Sequence, residues 1–201
     1  MSDDKMPYEE AITESAKAAS NAVDLAREAG RAVSPALGNI YGLLLGDRVG
    51  AWRERNQDKL ARATKRIFEE RNVKEPQAPP ESITIPLLEA AQGEPRAEMQ
   101  ELWARLLANA MDPARADDVR PEFVDTLKKL QPIDAFILAE MGKESKGFSD
   151  GELIGLSKRR QSAALVSLDH LKGLKCLQQS PSNGYYSLTS YGHELVAALK
   201  P

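Results

Sequence analysis

Along most of this chain apolar residues recur at spacings of three and four, the period of a helix that buries one stripe. From Pro7 to about Arg31 the stripe is Ile12, Ala16, Ala19, Val23, Ala26 and Gly30. Side chains this small let backbones approach closely, so the helix needs a partner helix, in the same chain or in a second copy. Gly30 and Ser34-Pro35 end it, and Pro35 suits the first turn of the next helix. Pro35 to Gly50 is apolar, with Gly38, Gly42, Gly46 and Gly50 at four-residue spacing. Each glycine costs a helix about 1 kcal/mol against alanine. Close packing offsets that cost, on a buried helix or on a face that contacts another copy or a membrane.

Charge then dominates. Ala51 to Asn72 carries Trp52, Leu60, Ala63 and Ile67 on one stripe and Arg53, Arg55, Lys59, Arg62, Lys65 and Arg66 elsewhere, balanced by Glu54, Asp58, Glu69 and Glu70. Mixed signs of this kind describe a solvated amphipathic helix. Lys74 to Pro80 is a stiff linker. A short helix is predicted over Ser82 to Ala91, with Pro86 in or near its first turn. Gly93-Glu94-Pro95 breaks the pattern before the clearest helix, Arg96 to Met111, whose apolar face is Met99, Leu102, Trp103, Leu106, Leu107 and Ala110. Asp112-Pro113 stops it, and Pro121 to Leu130 forms a further amphipathic helix.

Gln131-Pro132 begins a new unit. Helices are predicted over Ile133 to Met141, over Ser149 to about Ser157 with Glu152 completing a capping box, and over Gln161 to Lys172. Gly173 would end the last of these as a left-handed residue. Leu174 to Gln178 and Tyr185 to Thr189 are β-prone, and the segment between them ends in Asn183-Gly184, a hairpin turn signal. Ser190 to Leu199 is a closing helix. Helix–helix–helix–hairpin–helix in about 70 residues is the winged-helix plan, a relative of the helix-turn-helix. Leu168-x-x-Leu171-x-x-Leu174 followed by Tyr186-x-Leu188-Thr189-x-x-Gly192 resembles the third helix and wing of bacterial winged-helix regulators. The expected fold is therefore mainly α: an N-terminal helix over 1–34, a helical domain over 35–130 and a winged helix-turn-helix domain, α plus a small β-hairpin, over 131–201.

Composition narrows the function. With 42% hydrophobic and 28% charged residues the chain is an ordinary globular protein, and a net charge of −3 gives no global attraction to nucleic acid or anionic lipid. The single cysteine, Cys176, excludes an internal disulfide and a cysteine zinc site. The N-terminus shows no apolar signal core, and residues 32–52 carry Asn39, Asp47 and Arg48 within the stretch. A span needs about 20 mostly apolar residues. The expectation is a cytoplasmic protein, with membrane contact not favoured. No phosphate-binding, metal-ligand or nucleophile motif appears; His170 and His193 lack metal spacing, and Glu89, Glu94, Glu98 and Glu101 look like a solvated helix face. Neither an enzyme nor a cofactor is expected.

From Lys143 to Pro201 eight Lys or Arg face five Asp or Glu, so this part is net +3. Lys158, Arg159 and Arg160 cluster at the start of the third helix of the unit, beside Ser162, where a winged helix contacts DNA or a protein partner. The wing, Gln179 to Gly184, has no Lys or Arg, which weakens the DNA reading because phosphate contacts dominate affinity.

Three stretches carry a resemblance. They are Leu45-Gly46-Asp47-Arg48-x-x-x-Trp52-Arg53-x-x-Asn56, then Ile85-Pro86-Leu87-Leu88-Glu89-Ala90-Ala91 running on through Trp103-Ala104-x-Leu106-Leu107-Ala108-Asn109-Ala110-Met111-Asp112-Pro113, and Pro121-x-Phe123-x-x-x-Leu127-x-x-Leu130-x-Pro132-x-Asp134-Ala135. Over about residues 40–140 the chain resembles the Abi-alpha, or abortive infection alpha, family of bacterial proteins. The resemblance implies phage defence, in which an infected cell arrests or dies before phage release, and supplies no catalytic residue. Trp103, Leu106 and Leu107 are expected in the core, with Asn109, Asp112 and Pro113 ending a helix. Asp47, Arg48, Trp52 and Asn56 are candidates for a functional surface, or for a buried polar clamp. The expectation is a phage-defence protein that acts by binding, forms a homo-oligomer through its N-terminal helices and uses the winged helix as a sensor or partner module. The alternative is a winged-helix DNA-binding transcriptional regulator.

Overall fold

The computed structural model describes residues 51–144 and 146–200, with side chains from Arg55 onward. The helix expected over residues 7–31, the glycine-rich segment over 35–50, and Asp47 and Arg48 lie outside the described residues. The described chain is mainly helical, with eight α-helices, one 3-10 turn and a two-stranded antiparallel hairpin.

Helix α1, Ala51–Arg71, buries Leu60, Thr64, Ile67 and Phe68 and turns its charges outward. Asp58 pairs with Arg62, Glu69 with Lys65 and Glu70 with Arg66, all one turn apart. Arg66 also reaches Glu101 at 2.6 Å on the helix packed alongside. The helix ends at Asn72, left-handed at φ 55°, with Val73 N–H donating to the Phe68 carbonyl. This is a Schellman closure with asparagine in place of glycine.

Helix α2, Glu81–Gly93, starts one residue before the predicted Ser82, so Pro86 is its sixth residue and lies in the second turn, not the first. Proline there cannot donate to the carbonyl one turn back. The first turn is held instead by the Thr84 hydroxyl, which donates to the Pro79 and Pro80 carbonyls. Helix α3, Ala97–Met111, is the central element: Met99, Trp103, Leu106, Leu107 and Met111 are at most 1% exposed. Asp112 follows it, and its carboxylate accepts the Ala114 N–H, so the chain turns as the Asp-Pro pair implies. A 3-10 turn at Ala116–Asp118 and helix α4, Pro121–Lys129, complete this layer.

Helices α5 (Pro132–Met141), α6 (Asp150–Ser157) and α7 (Gln161–Gly173), strands β1 (Leu177–Gln179) and β2 (Tyr186–Leu188), and helix α8 (Ser190–Ala198) follow in the expected order. The Ser149 and Glu152 capping box is formed, and Gly184 takes φ +73° in the hairpin turn. Two predictions are corrected here, the first being that β1 starts at Leu177 and not at Leu174. Gly173 is the last residue of α7, and the left-handed residue is Lys175, at φ 60°. Cys176 N–H donates to the Leu171 carbonyl and Lys175 N–H to that of Lys172, which closes the helix two residues later than the glycine suggested.

The Leu188-Thr189-x-x-Gly192 pattern has a local cause. Thr189 caps α8 by accepting the Gly192 N–H, while its hydroxyl donates to the Lys175 carbonyl at 2.6 Å. This draws the start of α8 against the residues leading into β1, and a Cβ on Gly192 would clash with the Cys176 carbonyl oxygen. Phe148, before α6, adds a third short strand contact by exchanging both backbone hydrogen bonds with Tyr186. A single apolar core runs from Leu60 on α1 to Leu199 beyond α8. Among the described residues no helix is long and apolar enough to cross a membrane.

Candidate functional site

The structure separates the candidate residues into two groups. Trp52 is on the first turn of α1, with its side chain outside the described residues. Asn56, one turn further, is 3% exposed. Its amide donates to the carbonyls of Gln92 at 2.9 Å and Glu94 at 3.1 Å. Asn56 therefore closes the end of α2 onto α1, and its polar atoms are used within the fold.

The Gly93-Glu94-Pro95 break is the centre of this polar junction. Glu94 was expected on a solvated face, yet it is buried, because the chain bends there and Arg96 folds back over it. The guanidinium grips the carboxylate through two bonds, Nε at 2.7 Å and Nη2 at 2.8 Å, and the Arg96 N–H adds a third. Burial pushes the Glu94 carboxyl up, but the Arg96 hydrogen bonds and charge outweigh it and hold the group below its ordinary value. Arg96 also donates to the Gln131 side chain, and Gln100 donates to the Glu94 carbonyl. Helices α1, α2, α3 and α5 thus meet at one polar knot. Bidentate pairing fixes geometry as well as charge, so the knot orients helices, while the buried Gln100 Oε1 within it has no hydrogen-bond partner.

The second group is on the surface. Lys158 caps α6 in the left-handed region at φ 50°, Arg159 follows, and Arg160 is the residue before α7. All three are exposed, as is Ser162 in the first turn of α7. Among the described residues none of the three cations has an ion-pair partner, although Lys143, Lys146 and Lys172 nearby in sequence each do. Val166, one turn beyond Ser162, is 69% exposed, and Leu156, in the last turn of α6, is 39% exposed. The outer side of α6–α7 therefore combines unneutralised positive charge with uncovered aliphatic surface. Asp169, further along α7, is exposed and paired with Lys172. The hairpin turn is held by neutral groups, with Gln179 donating to the Gly184 carbonyl.

Sequence reading gave His170 no partner. It sits beside Asp134, with Nδ1 2.8 Å from a carboxylate that is 1% exposed and also accepts the Gln131 N–H. The pair joins α7 to the start of α5. Its only sequence trace is the three-residue spacing of Gln131 and Asp134, a capping box that places the carboxylate at the helix start. Cys176 is fully buried, and burial, with the nearby Asp134 charge, pushes its thiol up to about 11. The side chain packs in the core, where burial disfavours the thiolate. Among the described residues no group of three His, Cys, Asp or Glu side chains is placed to hold a metal ion.

No curated protein and no solved structure matches the chain. A family model described as abortive infection alpha does, over residues 53–182. That match takes in Asn56, the polar knot and the whole α6–α7 surface, and reaches well past residue 140, where the motif resemblance stops; Asp47, Arg48 and Trp52 precede it. Because the match covers more than half of the chain, the protein belongs to the abortive infection alpha family.

Proposed function

We propose that the protein serves abortive-infection-type defence against bacteriophage and acts by binding, with the unit from Gln131 onward working as a winged-helix contact module and the outer side of α6–α7 as its contact face. The observation that supports this most is the run Lys158, Arg159 and Arg160, exposed and, among the described residues, without ion-pair partners at the turn between the two helices. Surface cations left unpaired by the fold set encounter rate and partner choice more than stability. Self-association through the small-residue stripe at positions 12–30 belongs to the same reading, as does a cytoplasmic setting.

Phage plating on a strain expressing the wild-type chain tests the proposal, with Lys158→Ala/Arg159→Ala/Arg160→Ala alongside. Plaque number should fall at least tenfold with the wild type and recover with the triple variant, whose thermal midpoint should stay within about 1 °C because exposed substitutions change stability little. No protection by the wild type, together with no growth arrest on overexpression, ends this reading.

The same cations support a second reading, a DNA-binding regulator. Gel-shift titration at two salt concentrations separates it, since phosphate-driven binding weakens steeply with salt. The absence of Lys and Arg from Gln179 to Gly184 counts against it.

A further inference from the structure

The exposed cations and aliphatic side chains of the α6–α7 surface match in chemistry a ligand that offers several negative charges interleaved with apolar groups. Duplex nucleic acid fits poorly. Val166 stands 69% exposed at the middle of the outer stripe of α7, Asp169 lies one turn further on the same stripe, and the hairpin turn carries no cation. A polyanion read through phosphates wants cations in those places.

The chain itself contains a segment of the required chemistry. Between residues 3 and 14 there are five acidic side chains, Asp3, Asp4, Glu9, Glu10 and Glu14, against one lysine, with Met6 and Tyr8 among them. We infer that this acidic segment docks on the α6–α7 face of its own chain, carboxylates against Lys158, Arg159 and Arg160 and apolar side chains against Leu156 and Val166. The inference rests on reading that surface as a binding face and adds its first occupant. Length permits it. Residues 15–50 form the connection, and even at the helical rise of about 1.5 Å per residue they cover about 50 Å. The described part is roughly 40 Å across for its length. Tethering raises the local concentration of the segment at the face, which favours weak charge pairing there.

Zero-length carbodiimide coupling in the full chain tests this, read by peptide mass spectrometry on an equal mixture of 14N and 15N protein. Lys158 should couple to a carboxylate among Asp3, Asp4, Glu9 and Glu10 of the same isotope, with yield falling several-fold at 0.5 M NaCl as screening sets in. The exposed Lys59 should not couple to that segment. Links only between isotopes, or no more coupling at Lys158 than at Lys59, overturn the inference. A second measurement uses fluorescein-labelled duplex DNA purely as a polyanion probe. Asp3→Asn/Asp4→Asn/Glu9→Gln/Glu10→Gln should bind it at least fivefold more tightly than wild type, and adding Lys158→Ala/Arg159→Ala/Arg160→Ala should remove the gain. Glu75→Gln/Glu89→Gln/Glu98→Gln/Asp117→Asn, an equal change of charge at exposed sites elsewhere, should not gain; equal gains in both overturn the proposal. Phage plating with the basic-turn variant remains the separate test of the contact face itself.

Discussion

The side-chain amide of Asn109 donates to the backbone carbonyl of Ala198 at 2.7 Å, joining the last turn of α3 to the last turn of α8 across 89 positions. Its oxygen accepts from Arg71 at 2.6 Å, and Arg71 in turn donates to the Lys200 carbonyl. The residue expected to help end a helix instead ties the C-terminal unit to the helical body. Asn109→Ala leaves a buried carbonyl and part of a guanidinium without partners, a loss of about 2–3 kcal/mol. Asn109→Asp keeps the acceptor beside Arg71 and Arg115 and should cost less. Urea unfolding midpoints of the two variants check the order.

Glu94 makes stability depend on acid. Its carboxyl titrates below the 4.5 of an unperturbed glutamate, through Arg96 and against the opposing effect of burial. The charged pair therefore stabilises in full above the unfolded value, and its contribution is lost as pH falls through the lower folded value. Glu94→Gln should destabilise by about 1–3 kcal/mol at pH 7. The gap between variant and wild type should narrow steadily below pH 4.5, measured by urea unfolding at a series of pH values.

Cys176, buried and with its thiol near 11, should resist thiol reagents in the native protein. At pH 7 only about one thiol in ten thousand would be ionised even if it were reachable. Labelling with an aromatic disulfide should be slow without denaturant and complete within minutes in 6 M guanidinium. Rapid native labelling would mean that the strand packed behind α8 opens locally.

Gly192→Ala drives a methyl into the Cys176 carbonyl, so either α8 or the strand must move. The cost should be about 1–3 kcal/mol, the range for overpacked sites. Because Thr189 is held by the same carbonyls, Thr189→Ala and Gly192→Ala together should be less than additive. Thermal unfolding of the two single variants and the double variant checks both statements.

Periodicity located every described α-helix to within a residue or two, because α3 and α7 bury their stripes as amphipathic helices do, but it did not mark the 3-10 turn at Ala116–Asp118. Capping chemistry was equally visible at Ser149 and Glu152. What escaped was long-range. Gly173 pointed to a helix end that Lys175 makes, since backbone hydrogen bonds to Leu171 and Lys172 tolerate a lysine at the left-handed position. Glu94 read as surface because only the bend at Pro95 brings Arg96 over it. His170 and Asp134 are 36 positions apart, and no local pattern links them. Of the candidate site, the basic turn was legible because consecutive cations need no tertiary information. The Asn56 clamp needed α2 in place to be seen.

The turn between α6 and α7 holds its three cations without asking anything of the core. On the proposed reading of this turn as a contact face, recognition and folding are written in different residues. The charge, length or sign of Lys158, Arg159 and Arg160 can change while Asn109, Glu94 and Gly192 keep the same scaffold. On that reading, the contact chemistry can vary at nearly constant stability.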